Sequence, residues 1–515
     1  MTSAAIEKEP EKELENELDS RVDIFQQRRC GALLPITSLP AVGLNKQAGF
    51  DSAQRFIDWI ASAGISVWQL LPMGPPHADL SPYLCLSSMA GNSALIGLDW
   101  LAETGFLQPE ALSLHKDKQH SDNYHSAAIR SACDHFSRIP DEDYWRFEFD
   151  SFCRQSQAWL DDFALFMALR EEQKNQPWNC WPRALRDRDT AAIIDAQQRL
   201  GEEILAIKFA QFLFFRQWQK IRRYAQGKGV FLFGDMPLFV AYDSADVWAN
   251  RDYFKLTEDG QPRVVAGVPP DYFSSTGQRW GNPHYNWEAL QRDNFAWWIE
   301  RLRVHLSLYD LLRIDHFRGL ESAWEIPTTS TTAIEGQWQK ALGAELLKAL
   351  QKAFKNTPLV AEDLGLITAD VMALRDQFGL PGMAVLQFAF DGDSDNPSLP
   401  HNHKPQSVVY TGTHDNDTSL SWFQSLPEPQ RRKITQYLRC RDEDLPGALV
   451  ECALASVAKL AVIPLQDMLE LGSGNRINTP GTVGNNWRWY FQWQQFSPAI
   501  AEHFLILNRQ YGRCD

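Results

Sequence analysis

Four short apolar runs of this chain end in ionisable side chains, and burying such groups without a task is costly. Phe231-Leu-Phe-Gly-Asp235 closes on a carboxylate. Leu311-Leu-Arg-Ile-Asp-His-Phe-Arg318 places Arg313 and Asp315 on one face of a strand, because side chains alternate along it. Leu359-Val-Ala-Glu-Asp363 presents Glu362 and Asp363, and Val408-Val-Tyr-Thr-Gly-Thr-His-Asp-Asn-Asp417 presents His414 and Asp415. Any one of these acids alone reads most simply as a structural ion pair. Four arriving together at strand ends point to chemistry. Carboxylates with an arginine and a histidine suit a reaction that develops oxocarbenium-like charge. One carboxylate attacks, a second, kept protonated, donates to the leaving oxygen, and a third holds the positive charge.

Those side chains need a scaffold that brings strand ends to one place. Eight apolar runs read as buried strands: 32–36, 65–70, 230–233, 311–314, 359–361, 383–388, 408–411 and 460–464. They are continuous rather than alternating, as in parallel strands covered on both faces. Helical patterns lie between them. One is expected to be capped by Asp51, to carry Phe56, Ile57, Ile60 and Ala61 on one face and to stop at Gly64; another stops at Gly227 and Gly229 before Val230. Strand and helix repeated eight times predict an α/β fold, a (β/α)8 TIM barrel over residues 28–515, with a doubly wound sheet as the competitor. The spacing is uneven. Residues from about 71 to 229 are far too many for one connection and predict an inserted subdomain. A second excursion, about 241–286, is rich in Pro, Gly and aromatics and predicts an active-site loop region. Residues 1–27 read as a charged tail.

The formal net charge of −15 disfavours nucleic acid and anionic membrane surfaces and suits a neutral partner. The most apolar stretch, Ile204 to Trp218, is interrupted by Lys208, Gln211 and Arg216, so no membrane span is expected. The acidic N-terminus has no apolar core of a secretory signal, and the eight cysteines form no CxxC pair; a cytoplasmic protein with reduced thiols is the expectation. The 19 tryptophans could fill cores or stack on sugar rings, and composition alone leaves both open.

Taken as motifs, Ser81-Pro-Tyr83, Gly234-Asp-Met-Pro237, Asp243-Ser-Ala-Asp-Val-Trp248, Val264-Val-Ala-Gly-Val-Pro-Pro-Asp-Tyr-Phe273, Thr276-Gly-Gln-Arg-Trp-Gly-Asn-Pro283, Arg313-Ile-Asp-His-Phe-Arg318, Ala361-Glu-Asp-Leu-Gly365, Thr413-His-Asp-Asn-Asp417 and Asn478-Thr-Pro-Gly481 carry a resemblance. From Gly31 to Tyr490 the chain resembles the 4-α-glucanotransferases called amylomaltases or disproportionating enzymes, glycoside hydrolase family 77, relatives of the α-amylase superfamily. The resemblance implies a retaining transfer between α-1,4-glucans, with another glucan or glucose as acceptor through its 4-hydroxyl. It implies Asp315 as nucleophile, Glu362 as acid/base and Asp415 as transition-state stabiliser. Arg313 would orient Asp315, His414 would contact sugar hydroxyls and Asp235 would support the site. Tyr83 would stack on the glucose before the scissile bond, with Ser81 beside it. Gln278, Trp280 and Asn282 would sit in a lid-like loop laid over the substrate, and Asn478 would bind substrate; our own expectation is that the loop carrying Gln278 and Trp280 keeps water from the intermediate. Leu80 and Leu84 depart from the Asp and Gln usual beside Ser-Pro-Tyr, which bears on how donor sugars are held.

No cofactor and no metal are expected. Asp391-Gly-Asp-Ser-Asp395 opens like an EF-hand loop, but Asn396 and Asn402 occupy the positions that need Gly and Glu. Two other readings remain. A plain α-glucan hydrolase would use the same three acids. A glucan-binding protein would have no need of a nucleophile and an acid at one point. GxGxxG and Walker A patterns are absent, which disfavours redox and nucleotide chemistry.

Overall fold

The structure is a computed structural model that describes residues 22–44, 48–107, 121–270 and 274–515. Most of the expected tail, residues 1–21, and the end of one motif, Asp271 to Phe273, lie outside the described residues.

All eight apolar runs become strands of one sheet. They are β1 (Arg29–Leu33), β2 (Val67–Gln69), β3 (Phe231–Pro237), β6 (Leu311–Asp315), β9 (Leu359–Ala361), β10 (Gly382–Val385), β11 (Ser407–Tyr410) and β12 (Leu460–Pro464). Their order is β10-β11-β12-β1-β2-β3-β6-β9, with every pairing parallel. The two ends meet where the Ala361 amide, in β9, donates to the Pro381 carbonyl at 2.8 Å, just ahead of β10. That contact rules out an open doubly wound sheet: the fold is a nearly closed (β/α)8 barrel.

The continuous apolar runs have a simple cause. Leu33, Val67, Phe233, Leu311, Val360, Val385, Val408, Leu460 and Val462 fill the barrel interior. Their neighbours Ala32, Trp68, Leu232, Leu312, Ala361, Val409, Ala461 and Ile463 pack outward against helices. Alternation persists, but both faces are apolar and the pattern disappears from the sequence. Ile24 and Phe25 are also buried against the interior cluster, so packed structure starts a few residues before the expected boundary at 27.

The helix Ala53–Ser62 buries Phe56, Ile57 and Ile60 as expected, and the chain turns at Gly64 with φ +69°. Asp51 does not cap it. It lies in a 3-10 turn, Phe50–Ser52, and accepts from the Asp99 amide at the start of another helix, Leu98–Glu103. The segment between β2 and β3 carries the helices Ser121–Phe136, Tyr144–Gln155 and Gln157–Glu172 and ends in the 27-residue helix Gly201–Gly227. Phe136, Phe149, Phe209 and Phe212 interlock there. No helix among the described residues is long and apolar enough to cross a membrane.

The region expected as loops around 241–286 instead supplies half of a second sheet. It is antiparallel, in the order β5-β4-β7-β8, and comprises β4 (Val264–Val268), β5 (Gln278–Pro283), β7 (Ser322–Pro327) and β8 (Gln337–Lys340). Gly, Pro and short strand length hid it.

The base of the barrel is locked by the C-terminus. Arg513, 2% exposed, donates to the carbonyls of Arg29, Ala453, Leu454, Ser456, Ala458 and Lys459. Burial lowers its pKa to about 10. Arg513→Met should remove these bonds and lower unfolding free energy by about 2–4 kcal/mol. A urea midpoint equal to that of the parent would refute this locking role.

Candidate active site

Strand register builds the centre of the site. Asp235 in β3 is the direct partner of Arg313 in β6, and Phe233 and Leu311 fix both strands with their odd-numbered residues inward. The two side chains therefore meet inside the barrel mouth, with Arg313 Nη1 2.6 Å from Asp235 Oδ2. Arg313 Nη2 reaches Asp315 Oδ1 at 2.9 Å, two residues along the same face. One guanidinium thus bridges a fully buried acid and one whose side chain is 29% exposed to the cleft. Burial would lower the Arg313 pKa, but Asp235 and Asp315 outweigh it and carry it well above its usual value.

Glu362 follows β9 directly. Its Oε2 accepts from the His316 amide at 2.7 Å and its Oε1 from the Leu364 amide at 2.9 Å. His316 adopts a left-handed backbone, φ +57°, immediately after Asp315, and this turn aims its N–H at Glu362. Burial raises the pKa of both Asp315 and Glu362, and Arg313 opposes the rise in both. The Asp235 and Glu362 carboxylates push Asp315 up further. Asp315 has the guanidinium in direct contact, which favours its carboxylate, and the Leu364 and His316 amides favour the carboxylate of Glu362 against burial.

On the opposite wall, Tyr83 in the loop after β2 donates from its hydroxyl to Asp235 Oδ2 at 2.8 Å. The same hydroxyl oxygen lies 2.9 Å from His414 Nε2, and the rings stack with centroids 5.2 Å apart. With the Tyr83 proton committed to Asp235, His414 must be the donor in this contact, which selects the tautomer protonated at Nε2. Burial lowers the His414 pKa, against the pull of Asp415, and holds the ring neutral. Asp415 Oδ1 lies 3.4 Å from His414 Nε2 and accepts from Asn478 Nδ2 at 2.6 Å. Arg476 grips the Asp415 carbonyl. Ser81 Oγ accepts from the Tyr83 amide at 3.4 Å, shaping the turn that presents the tyrosine.

The remaining expected site residues stand on β5, not in a loop. Trp280 donates to Gln278 Oε1 at 3.1 Å and meets the His316 ring edge-on at 4.8 Å. Asn282, 5% exposed, donates to the Val240 carbonyl at 2.8 Å and braces the sheet while lining the cleft. Every expected residue except the buried Asp235 and His414 lines one cavity of about 2450 Å³, and those two contact residues that do. Sequence reasoning missed three contributors. The His316 amide and Arg476 act through backbone contacts that no motif advertises. Trp487, left-handed at φ +64°, packs on Tyr83 and His414 from a distant loop. The tryptophans now divide: Trp68, Trp178, Trp218, Trp248 and Trp298 are core, whereas Trp280, Trp338, Trp422 and Trp487 line the cleft. Among the described residues no group of three or more His, Cys, Asp or Glu could hold a metal ion.

A parallel barrel with an arginine-bridged aspartate, a buried glutamate and an aromatic-lined cleft at its strand C-termini defines a glycan-processing type of site. Residues 34–495 match the family model described as 4-alpha-glucanotransferase, glycoside hydrolase family 77, and the chain belongs to that family. It is 46% identical over 499 residues to a 4-alpha-glucanotransferase of Synechocystis, covering 94% of this chain and 98% of the relative. Identity to the 4-alpha-glucanotransferase of Thermus thermophilus is 45% over 487 residues, covering 92% and 96%. An amylomaltase from Streptococcus agalactiae, solved with acarbose, superposes with a TM-score of 0.89 at 32% identity and covers 95% of this chain and all of its own. Transfer, not hydrolysis, is the activity that the Synechocystis and Thermus relatives are named for.

Proposed function

We propose that this chain cleaves α-1,4-glucans through an ester on Asp315 and passes the bound segment to the 4-hydroxyl of another glucan or of glucose. The observation that carries the assignment of roles is the Arg313 bridge. It favours the ionised form of Asp315 at the cleft floor, and burial favours the protonated form of Glu362. Asp315 attacks C1 as the C1–O4 bond breaks, and the Glu362 proton goes to the departing oxygen. The acceptor 4-oxygen then attacks C1, its proton passes to Glu362, and the ester bond breaks. Once Asp315 is an ester its charge is gone, and Glu362 becomes a stronger acid and a readily formed carboxylate. Asp415, fixed by Asn478 and Arg476, faces the developing positive charge. Tyr83 stacks beneath the sugar before the scissile bond, and Asp235 with His414 sets its orientation. A cytoplasmic setting belongs to the same reading, supported by eight cysteines that are all free thiols.

Incubation with maltotriose tests the assignment. Glucose with a ladder of longer maltooligosaccharides at constant reducing ends is the expected outcome. Rising reducing ends with only glucose and maltose would replace transfer by hydrolysis.

Trp280 and Gln278 form the wall beside His316, whose amide donates to Glu362, and our reading gives them the exclusion of water from the ester. Trp280→Ala should raise the ratio of hydrolysis to transfer about tenfold, equivalent to ~1.4 kcal/mol between the two transition states. An unchanged ratio would remove Trp280 from that role.

A further inference from the structure

The small antiparallel sheet carries an exposed indole that the catalytic cycle above does not use. Trp338 sits on β8, the edge strand opposite β5, and is 36% exposed on the cleft wall. It is the register partner of Trp324 on β7, and the two rings meet at 5.1 Å and 63°. Trp324 is itself pinned by a 2.8 Å bond from its indole N–H to the Ala333 carbonyl. The Arg318 guanidinium covers Trp338 at 3.8 Å from the ring centre. Arg318 in turn donates to the carbonyl of Leu366, in the loop that follows Glu362, at 2.5 Å. An exposed tryptophan on an edge strand would ordinarily be a liability in water. Here the strand pairing, Trp324 and Arg318 hold it in one orientation, and its open side lines the substrate cleft. A rigid flat apolar ring with a polar surround matches the C–H face of a pyranose.

Its position relative to the acids gives the side of the bond. Tyr83, His414 and Trp487 form the wall that takes the sugar before the scissile bond. Trp338 is tied through Arg318 to the Leu366 carbonyl, in the loop that carries on from Glu362, whose proton the leaving oxygen receives in the proposed cycle. Within the sheet it is three strands from Trp280, which is about 14 Å at ordinary strand spacing. A single glucose at the reacting position would fill the Trp280 end only, whereas a longer acceptor would extend along the sheet.

We propose that Trp338 is an acceptor-side stacking platform that sets the preference for oligosaccharide over glucose as acceptor. The inference rests on the transferase reading and adds a specificity residue to it. The test compares acceptor KM for glucose and for maltotriose at saturating donor, in the parent and in Trp338→Ala. Trp338→Leu is a second variant that keeps an apolar side chain against Trp324 but offers no flat face. Both variants should raise the KM for maltotriose roughly tenfold, because no ring then shields the C–H face of the distal sugar from water. The KM for glucose should stay within about twofold of the parent value, since that acceptor does not reach β8. Trp338→Phe should recover most of the affinity for maltotriose. Equal shifts for both acceptors, or no shift for either, would overturn the platform. A parent enzyme that produces no chain-length ladder would overturn the transferase reading itself, and with it this inference.

Discussion

Asp315→Asn is expected to slow glucan transfer by roughly 10⁴- to 10⁶-fold, the scale seen when a covalent nucleophile is removed. The amide keeps the shape and can still sit against Arg313, so a normal thermal unfolding curve should accompany the loss. Glu362→Gln separates the two acids. It should cost about 10²- to 10⁴-fold on maltooligosaccharides, whose leaving oxygen needs a proton. On an α-glucosyl fluoride, whose leaving group needs none, much of that first-step rate should return. Asp315→Asn should gain nothing from the fluoride. Recovery by the Asp315 variant, or failure to recover by the Glu362 variant, would mean that the two roles have been exchanged or misassigned.

Arg313→Gln should produce the next largest effect, and its signature is in the pH profile. In the parent, the guanidinium at 2.9 Å from Asp315 favours the ionised carboxylate and also opposes the rise at Glu362. Its removal therefore raises both pKa values. The acid limb of kcat/KM, set by protonation of Asp315, should move to higher pH, and the alkaline limb, set by loss of the Glu362 proton, should follow. The maximum should fall by roughly 10²- to 10³-fold, because Asp315 also loses its orientation. Asp235, with no exposed surface, would be left without its cation, and stability should drop by about 3–5 kcal/mol. Arg313→Lys keeps the charge but cannot span both carboxylates, so it should recover stability in part and the pH profile only in part. A profile that loses height without moving would show that Arg313 does not tune Asp315.

The sheet made by β4, β5, β7 and β8 shows where local reading stops. Gln278, Trp280 and Asn282 were expected in a lid-like loop, yet they occupy an edge strand of that sheet. The strands are short, and one carries Gly281 at φ +86°, so period-two patterning never develops. Asp51 failed differently. It has the right residue type for a helix cap, but its carboxylate serves a helix 48 residues further on. Residue preference names a role, and the choice of partner is made by packing.

What the sequence determined by itself was the set of barrel strands and the acids at their ends. Burial on both faces writes each strand as an uninterrupted apolar run, and a charged residue that ends such a run stands out without any tertiary information. Only the tertiary structure decided how those acids work. Register sets Asp235 against Arg313, closure brings Tyr83 to His414 across 331 residues, and Asn478 reaches Asp415 across 63. Hydrogen bonds act over about 3 Å, so which acid holds the proton depends on contacts between distant segments that exist only once the barrel has closed.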